Sequence, residues 1–261
     1  MRGKATKQPP MSLIFLPYVK TLRFVRRQFA YVLLLTTFYW LFQIGSQVAG
    51  ISFGVKLVIY MTIFYFMLRK MMFGAGGTGP DPRHERPPLR IGRFFLNAGF
   101  LFIVVLFLTL AGFLAYDAST GFQSTAETRL LPLFITLMIT SSLVVGAFGT
   151  ILPAAVANDP REVDQRLGSA LRAAPRVFVG TVFGPVLMTG LGVFAFALLD
   201  GTLAMSTPIQ AEDGTLQIGP ALLFLPVRFF GVLTGFLAAA VLIEAYRPQA
   251  PEGIRAAMST L

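Results

Sequence analysis

Long runs of uncharged, mostly apolar residues constrain this sequence more than any other feature. Residues 28–68 contain a single charged side chain, Lys56, and residues 214–243 contain only Arg228. Three further runs carry no charge at all, at residues 94–116, 130–158 and 177–199. A helix of about 20 apolar residues crosses the hydrocarbon core of a bilayer, because each residue adds about 1.5 Å. The runs therefore predict an all-α, polytopic membrane protein.

The overall composition agrees with this class. The chain is 55% hydrophobic and only 13% charged, whereas soluble domains carry roughly 25% charged residues. Cysteine is absent, which excludes disulfides and thiolate metal sites. A net charge of +10 would indicate nucleic acid binding in a soluble protein. Here the basic residues flank apolar runs, so we expect a membrane surface and no nucleic acid as the partner of this charge.

The run lengths predict six transmembrane helices in three hairpins. Residues 28–68 are long enough for two crossings, and the segment GSQVAGISFG at residues 45–54 is typical of a tight turn. The Gly- and Pro-rich residues 73–93 predict a flexible loop. We expect three parts in total: a basic amphipathic segment at residues 1–27, a six-span membrane domain at residues 28–246 and a tail at residues 247–261.

Lysine and arginine are concentrated in segments that six spans would bring to one side of the membrane. All but Lys56, Arg129 and Arg228 lie in four segments, at residues 1–27, 69–93, 159–176 and 247–261. The opposite side would carry Lys56, Arg129 and the acids Asp117, Glu127, Asp200, Glu212 and Asp213. Basic residues favour the cytoplasmic side of a membrane. The distribution therefore predicts that both termini are cytoplasmic.

A short basic amphipathic helix is predicted at residues 160–174, on the cytoplasmic surface. Asp159 is a suitable N-cap, Pro160 suits the first helical position, and we expect Pro175 to end the helix. The apolar face of this helix would carry Val163, Leu167, Ala170, Leu171 and Ala174. The opposite face would carry Arg161, Arg172 and Arg176, with Arg166 at the flank.

The N-terminal segment repeats this pattern. One predicted face carries Phe15, Tyr18, Leu22, Val25 and Phe29, and the other carries Lys20, Arg23 and Arg27. Basic surface helices attract anionic phospholipid by about 1 kcal/mol per charge. Two interpretations follow: the helices only anchor and orient the bundle, or they recognise a specific lipid or protein partner.

Small residues and prolines inside the predicted spans bear on helix packing. Close packing is expected at Gly146, Gly180, Gly184, Gly231 and Gly235. The last three spans are interrupted by Pro153, Pro185 and Pro226. In lipid, a carbonyl freed by a proline needs another partner or a cavity. Such kinked helices either line a pathway or simply pack, and the sequence leaves both open.

Charges inside spans are the strongest indication of a functional site. Lys56 lies early in the second span and can extend outward. Arg228 is about 14 Å deep if the sixth span begins near Gly219, and interfacial if it begins near Leu225. A buried Arg228 would require a phosphate, a carboxylate or backbone carbonyls. With Arg166 and Arg172, these two residues are the candidate contacts to a ligand or a lipid phosphate.

Two groups of charged residues elsewhere lead to predictions about local contacts. Glu244 and Arg247 are three residues apart at the cytoplasmic end of the sixth span, a spacing that predicts a local ion pair. Glu212 and Asp213, with Asp200, would bind a divalent cation weakly or form an ordinary solvated loop.

A search for catalytic groups gives little. His84 is the one histidine and lies in the Gly/Pro-rich loop, so neither a Ser-His-Asp set nor a histidine metal cage is available. The sequence GAGGTG lacks the Lys-Ser/Thr that a phosphate-binding loop needs. An enzyme would depend on the outward carboxylates, above all Asp117 and Asp200. We predict no catalytic residue, no metal and no cofactor.

The stretch GTILPAAVANDP…LGSALRAAPRVF resembles a bacterial family, the integral membrane domain associated with glycerophosphoryl diester phosphodiesterases and its stand-alone relatives. Pro153, Ala170, Leu171 and Arg172 match its pattern of a Pro-containing span end followed by a short amphipathic stretch. The similarity covers about thirty residues, and because six spans use up the 261 residues, we expect no soluble phosphodiesterase domain of that family within them. The resemblance implies a bacterial inner-membrane protein and transfers no catalytic residues.

Three functions are compatible with the sequence. The first is a non-enzymatic membrane anchor, scaffold or accessory subunit that acts through anionic lipid, a membrane protein partner or a second copy of itself. The second is a small transporter or permease for an anionic or lipid-like solute, with Arg228 in the site. The third is a membrane enzyme that acts on lipid head groups.

Overall fold

The computed structural model describes residues 10–74, 91–119, 126–203 and 218–258. Every regular element in these ranges is helical, which confirms the predicted all-α class for them. The helices are α1 (Pro10–Arg27), α2 (Phe29–Val48), α3 (Phe53–Phe73), α4 (Ile91–Ser119), α5 (Ala126–Phe148), α6 (Ile151–Val156), α7 (Val163–Thr181), α8 (Leu187–Leu203), α9 (Ile218–Tyr246) and α10 (Glu252–Ala257). A π-helical turn (Val182–Val186) joins α7 to α8, and a 3-10 turn (Arg247–Gln249) follows α9.

Five helical segments within the described ranges are long and apolar enough to cross a membrane. They are Phe29–Val48, Ile91–Ser119, Leu131–Phe148, Val163–Ala195 and Phe224–Gln249. The predicted second span corresponds to α3, which has 21 residues. It does not belong to this group because Lys56 lies near its start and Arg69 and Lys70 near its end. Length and composition thus support five of the six predicted spans.

The turn predicted at residues 45–54 is present. α2 ends at Val48 and α3 begins at Phe53. Gly50 lies between them with φ of +60°, a conformation that glycine adopts without steric cost. Most of the predicted loop 73–93, with His84, and the acids Glu212 and Asp213 lie outside the described residues.

α9 is the central helix of the bundle. It contacts α1, α2, α3 and α7, and 44% of its apolar segment is buried, against 17–22% for the other four membrane-length segments. The contacts include a ring pair between Phe24 of α1 and Phe236 of α9, with centroids 4.9 Å apart. The outer helices expose large apolar side chains such as Leu96 and Phe107. This distribution is expected when lipid, rather than water, surrounds the bundle.

The polar face predicted for α1 is wrong at one residue. Lys20, expected on the solvated face, is buried and its ammonium lies 2.6 Å from Glu244 Oε1. Leu22, on the predicted apolar face, is 66% exposed, as a side chain that faces lipid would be. α1 rests against α7 and α9 through its other side, which includes Phe24. The pattern misled because lipid and protein interior are both apolar, so an apolar stripe does not reveal which of them it faces.

The bounds of the predicted interfacial helix also differ. α7 begins at Val163 after Glu162, and Asp159 is not its N-cap. The helix continues through Pro175 to Thr181, because an interior proline removes only one backbone hydrogen bond from a helix held by its neighbours. The continuity breaks instead at Gly184, whose φ and ψ are −103° and −105°. Val163 and Leu171 are exposed, and Ala170, placed on the predicted apolar face, is buried.

The glycines singled out by sequence differ in their surroundings. A Cβ atom at Gly146 would lie 3.1 Å from Phe178 Cβ, and one at Gly180 only 2.8 Å from Val241 Cγ1. At Gly184 and Gly235 a Cβ would meet the side chains of Val241 and Met67, at 3.5 Å and 3.1 Å. At Gly231 it would meet nothing within 4 Å, so this glycine borders open space rather than a neighbouring helix.

Candidate functional site

A buried polar cluster, the Asp159 junction, joins the segment before α7 to the end of α9. Asp159 is 0% exposed. Its carboxylate accepts hydrogen bonds from Arg161 Nε, 3.0 Å from both oxygens, and from the Tyr246 hydroxyl at 2.9 Å. Arg93 Nη1 donates to the Asp159 carbonyl at 3.1 Å, and Arg166 Nε donates to the Arg161 carbonyl at 3.0 Å. The junction therefore connects α4, α7 and α9.

The electrostatics of the junction favour a permanently charged pair. Burial by itself raises the pKa of Asp159, but hydrogen bonds from Arg161 and Tyr246 outweigh it and hold this pKa below its usual range. The same contact raises the pKa of Arg161. A carboxylate so held is a poor proton acceptor, so the cluster is suited to fixing the helices rather than to acid–base chemistry.

This geometry changes the role expected for Arg166. Sequence placed it as a candidate contact to lipid phosphate, but its side chain is half-buried and its Nε donates to a backbone carbonyl of the junction. Lys56 lies in the first turn of α3 and is half-buried. Among the described residues, the structure does not bring Lys56, Arg166 and Arg228 together in one contact or cavity.

A second feature, the basic groove, lies between α7 and the end of α9. It has a volume of about 480 Å³ and is lined by Arg172, Ala173, Pro175, Arg176, Val179, Ala245, Pro248 and Gln249. Arg172 and Arg176 are both exposed, and their spacing of four residues places them side by side. In the part of the chain that the structure describes, no carboxylate forms a salt bridge with either.

The groove combines two cations with apolar surface. Like charges four residues apart in a helix repel each other by a few tenths of a kcal/mol, and an anion between them would remove this repulsion. Guanidinium groups bind phosphate oxygens through paired N–H donors. Val179, Ala245 and Pro248 supply apolar surface beside the two arginines.

A third feature, the Arg228 cleft, lies among α2, α3 and α9. The Arg228 guanidinium carbon is 5.3 Å from the ring centroid of Tyr39 and 5.8 Å from that of Phe224. Arg228 Nε is buried without a hydrogen-bond partner. Sequence reasoning identified Arg228 but missed Tyr39, Tyr60 and Gln43, although polar side chains in an apolar run were a signal that could have found them.

The carboxylates do not form a catalytic set within the described ranges. Asp117 is buried in the last turn of α4, and the side chain of Asp200 lies outside the described residues. No group of three His, Cys, Asp or Glu that could hold a metal ion occurs in the searched, described part of the chain.

Comparison with known proteins found no match to this chain, whether among family models, curated proteins or solved structures.

Proposed function

We propose that this protein is a non-enzymatic integral membrane protein, a membrane anchor, scaffold or accessory subunit, that works by binding anionic phospholipid. The basic groove carries the proposal. Two exposed arginines one turn apart border a cavity of about 480 Å³ beside apolar surface. This combination fits a phosphate head group with the first part of its acyl chain. A protein partner or a second copy of the chain would then bind elsewhere on the bundle.

The proposed location is a bacterial inner membrane, with six spans and cytoplasmic termini. The positive-inside distribution supports the orientation. Contacts between segments predicted to share one side support it as well: Arg93 with Asp159, Tyr246 with Asp159, and Lys20 with Glu244. The one span that length and composition do not support, the second along the chain, would be α3. Its charged residues lie near its two ends, where long side chains reach the membrane surface. The resemblance to the phosphodiesterase-associated membrane domain stays part of this proposal.

Native mass spectrometry tests lipid binding at the groove. The protein is extracted in a non-ionic detergent and titrated with phosphatidylglycerol or phosphatidylcholine. We expect phosphatidylglycerol adducts on the unaltered protein, and about tenfold weaker binding in the double variant Arg172→Gln/Arg176→Gln.

The matched control is Arg26→Gln/Arg27→Gln, which removes the same charge from exposed positions at the end of α1. It should retain the adducts. Equal adduct formation by phosphatidylcholine, or equal loss in both double variants, would show general surface attraction and contradict a groove site.

Transport of an anionic or lipid-like solute is the second candidate function. It is favoured by the unpartnered Nε of Arg228 and by the helix break at Gly184, next to Pro185. Under this alternative, Arg228→Leu abolishes uptake of the solute by proteoliposomes and leaves the fold intact. Unchanged uptake in that variant would remove Arg228 from any transport pathway.

A further inference from the structure

We propose that the Arg228 cleft binds the acidic head of a single-chain amphiphile, a carboxylate or a phosphate, with the alkyl chain in the adjoining cavity. The site is separate from the basic groove, because its residues come from α2, α3 and the first half of α9. The proposal does not depend on lipid binding at the basic groove. It names the ligand class for Arg228, the residue on which the transport alternative also rests.

The first observation is the state of Arg228 itself. It lies ten residues after Ile218, the start of α9, which corresponds to about 15 Å of helix. Its guanidinium group lies over the faces of Tyr39 and Phe224 and also interacts with the Tyr39 hydroxyl, but no described residue forms a salt bridge with it. Cation–π contacts contribute only part of what a guanidinium loses on leaving water. An anion beside Arg228 would supply the rest.

The second observation is the polar rim around this charge. The ring centroids of Tyr39 and Tyr60 are 5.1 Å apart, and the Tyr60 hydroxyl donates to Gln43 Oε1 at 3.0 Å. Gln43 follows Tyr39 by four residues and so shares its face of α2. Because its oxygen accepts from Tyr60, the amide group of Gln43 keeps its two N–H donors for a further acceptor. The rim thus combines a cation with neutral donors, as recognition of an acidic oxygen requires.

The third observation is an apolar cavity beside the rim. It has a volume of about 130 Å³ and is lined by Tyr39, Tyr60, Ile63, Phe64, Met67, Gly231, Val232 and Gly235. α2 and α3 both pack on α9 and meet each other through Tyr60, and the missing side chain of Gly231 leaves space on α9. Arg228 precedes Gly231 by three residues, so the charge and the cavity lie on neighbouring turns. A head group at Arg228 would place its chain in this cavity.

The position of the single tryptophan makes the site measurable. Trp40 follows Tyr39 directly, and its Nε1 donates to the carbonyl of Ala221 on α9 at 2.7 Å. Ala221 precedes Arg228 by seven residues, or about 10 Å of helix. Because the chain has one Trp, its intrinsic tryptophan fluorescence comes from this side of the bundle alone.

The test is quenching of Trp40 fluorescence by a dibrominated fatty acid, in a non-ionic detergent. The methyl ester of the same acid is the matched probe without charge. A brominated lysophosphatidic acid and inorganic phosphate extend the series. We expect saturable quenching by both charged amphiphiles, at a midpoint about tenfold lower than for the ester. If inorganic phosphate alone reduces quenching by the brominated amphiphiles, the acidic head group is sufficient for binding at Arg228.

Three variants separate binding from folding. Arg228→Gln should raise the quenching midpoint to that of the ester, and Arg228→Lys should recover part of the difference. Gly231→Leu, which fills the cavity where a Cβ meets nothing within 4 Å, should weaken the amphiphiles but not phosphate. The groove variant Arg172→Gln/Arg176→Gln should bind the amphiphiles normally. The experiment can therefore contradict the proposal for the Arg228 cleft without contradicting the proposal for the basic groove, and the reverse.

Equal quenching by the acid and its ester, or an unchanged midpoint in Arg228→Gln, would overturn the proposal. Either result would show that Arg228 only anchors α9 at the membrane surface. If Arg228→Gln fails to fold, Arg228→Lys and Gly231→Leu decide the question, since the first keeps the charge and the second leaves Arg228 in place.

Discussion

The hydroxyl of Tyr246 donates a hydrogen bond of 2.9 Å to the carboxylate of Asp159, which is completely buried and 87 residues earlier in the chain. This contact fixes the end of the central helix α9 to the segment that precedes α7. The basic groove lies between the same two helices. The geometry of the groove therefore depends on a bond that no side chain of the groove makes.

Removing the Tyr246 hydroxyl should destabilise the fold. Tyr246→Phe leaves one oxygen of a buried carboxylate without its donor, and hydrogen bonds to charged groups contribute about 1.5–3 kcal/mol. We expect a loss in this range in the free energy of unfolding, measured by denaturant titration in detergent. Tyr31→Phe is the control, because the hydroxyl of Tyr31 makes no hydrogen bond in the described structure. Equal losses in both variants would exclude a special role for the Asp159 junction.

The depressed pKa of Asp159 makes stability depend on acid pH. A carboxyl group whose pKa is lower in the folded than in the unfolded protein stabilises the fold. The stabilisation is fully present at pH values above the pKa of the group in the unfolded protein, here 3.8. This contribution disappears as pH falls through the folded pKa. We expect the midpoint of thermal unfolding to be level near neutral pH and to drop below about pH 4. Asp159→Asn should lower the midpoint at neutral pH and flatten the drop, and a drop of unchanged size would contradict this assignment.

The Lys20–Glu244 pair should show coupling in a double-mutant cycle. The side chains are 10% and 17% exposed, so we expect the energy of this ion pair to lie between two reference cases. An exposed ion pair contributes up to about 1 kcal/mol to stability, and disrupting a buried ion pair costs about 3–5 kcal/mol. Lys20→Met and Glu244→Gln should each destabilise, and the double variant should be more stable than the sum of the two losses predicts. Additive losses would indicate that the two charges do not interact in solution.

Glycine substitutions should distinguish packed from open helix faces. Gly180→Ala brings a Cβ within 2.8 Å of Val241 Cγ1, and overpacking of this kind costs about 1–3 kcal/mol. Gly190→Ala in α8 meets nothing within 4 Å and should be neutral or stabilising by up to about 1 kcal/mol. Adding Val241→Ala to Gly180→Ala should restore stability. If Gly190→Ala is the more harmful change, the packing of α7 on α9 is not as described.

The elements of the fold were more predictable than their faces. Run length and charge distribution were enough to place α2, α4, α5 and α9, because the apolar length of a segment is a local property of the sequence. Which side of α1 meets the bundle was not predictable, as Lys20 and Leu22 show, because lipid and protein core select the same side chains. The helix break at Gly184 falls beside Pro185, one of the three prolines expected to interrupt a span. Pro226 carries the same local signal but lies in continuous α-helix, so the sequence did not show which proline breaks its helix.

The candidate sites were predictable only in part. Arg228 and Arg172 stand out as charges in or beside apolar runs. Their surroundings come from distant segments: Tyr39 is far from Arg228 in sequence, and Ala245 and Pro248 lie far from Arg172. Such pairings depend on tertiary packing around α9, which no local pattern records. The same reason explains why Asp159 was taken for a helix cap, although it is the centre of a buried junction.

Cysteine labelling tests most directly whether the basic segments share one side of the membrane. The chain contains no cysteine, so His84→Cys, Asp164→Cys and Glu212→Cys each give a single reactive thiol. With a membrane-impermeant maleimide on intact cells, only the Glu212→Cys thiol should react, and the other two should react after the cells are opened. Labelling of positions 84 and 164 from opposite sides of the membrane would contradict the proposed topology and the cytoplasmic basic groove with it.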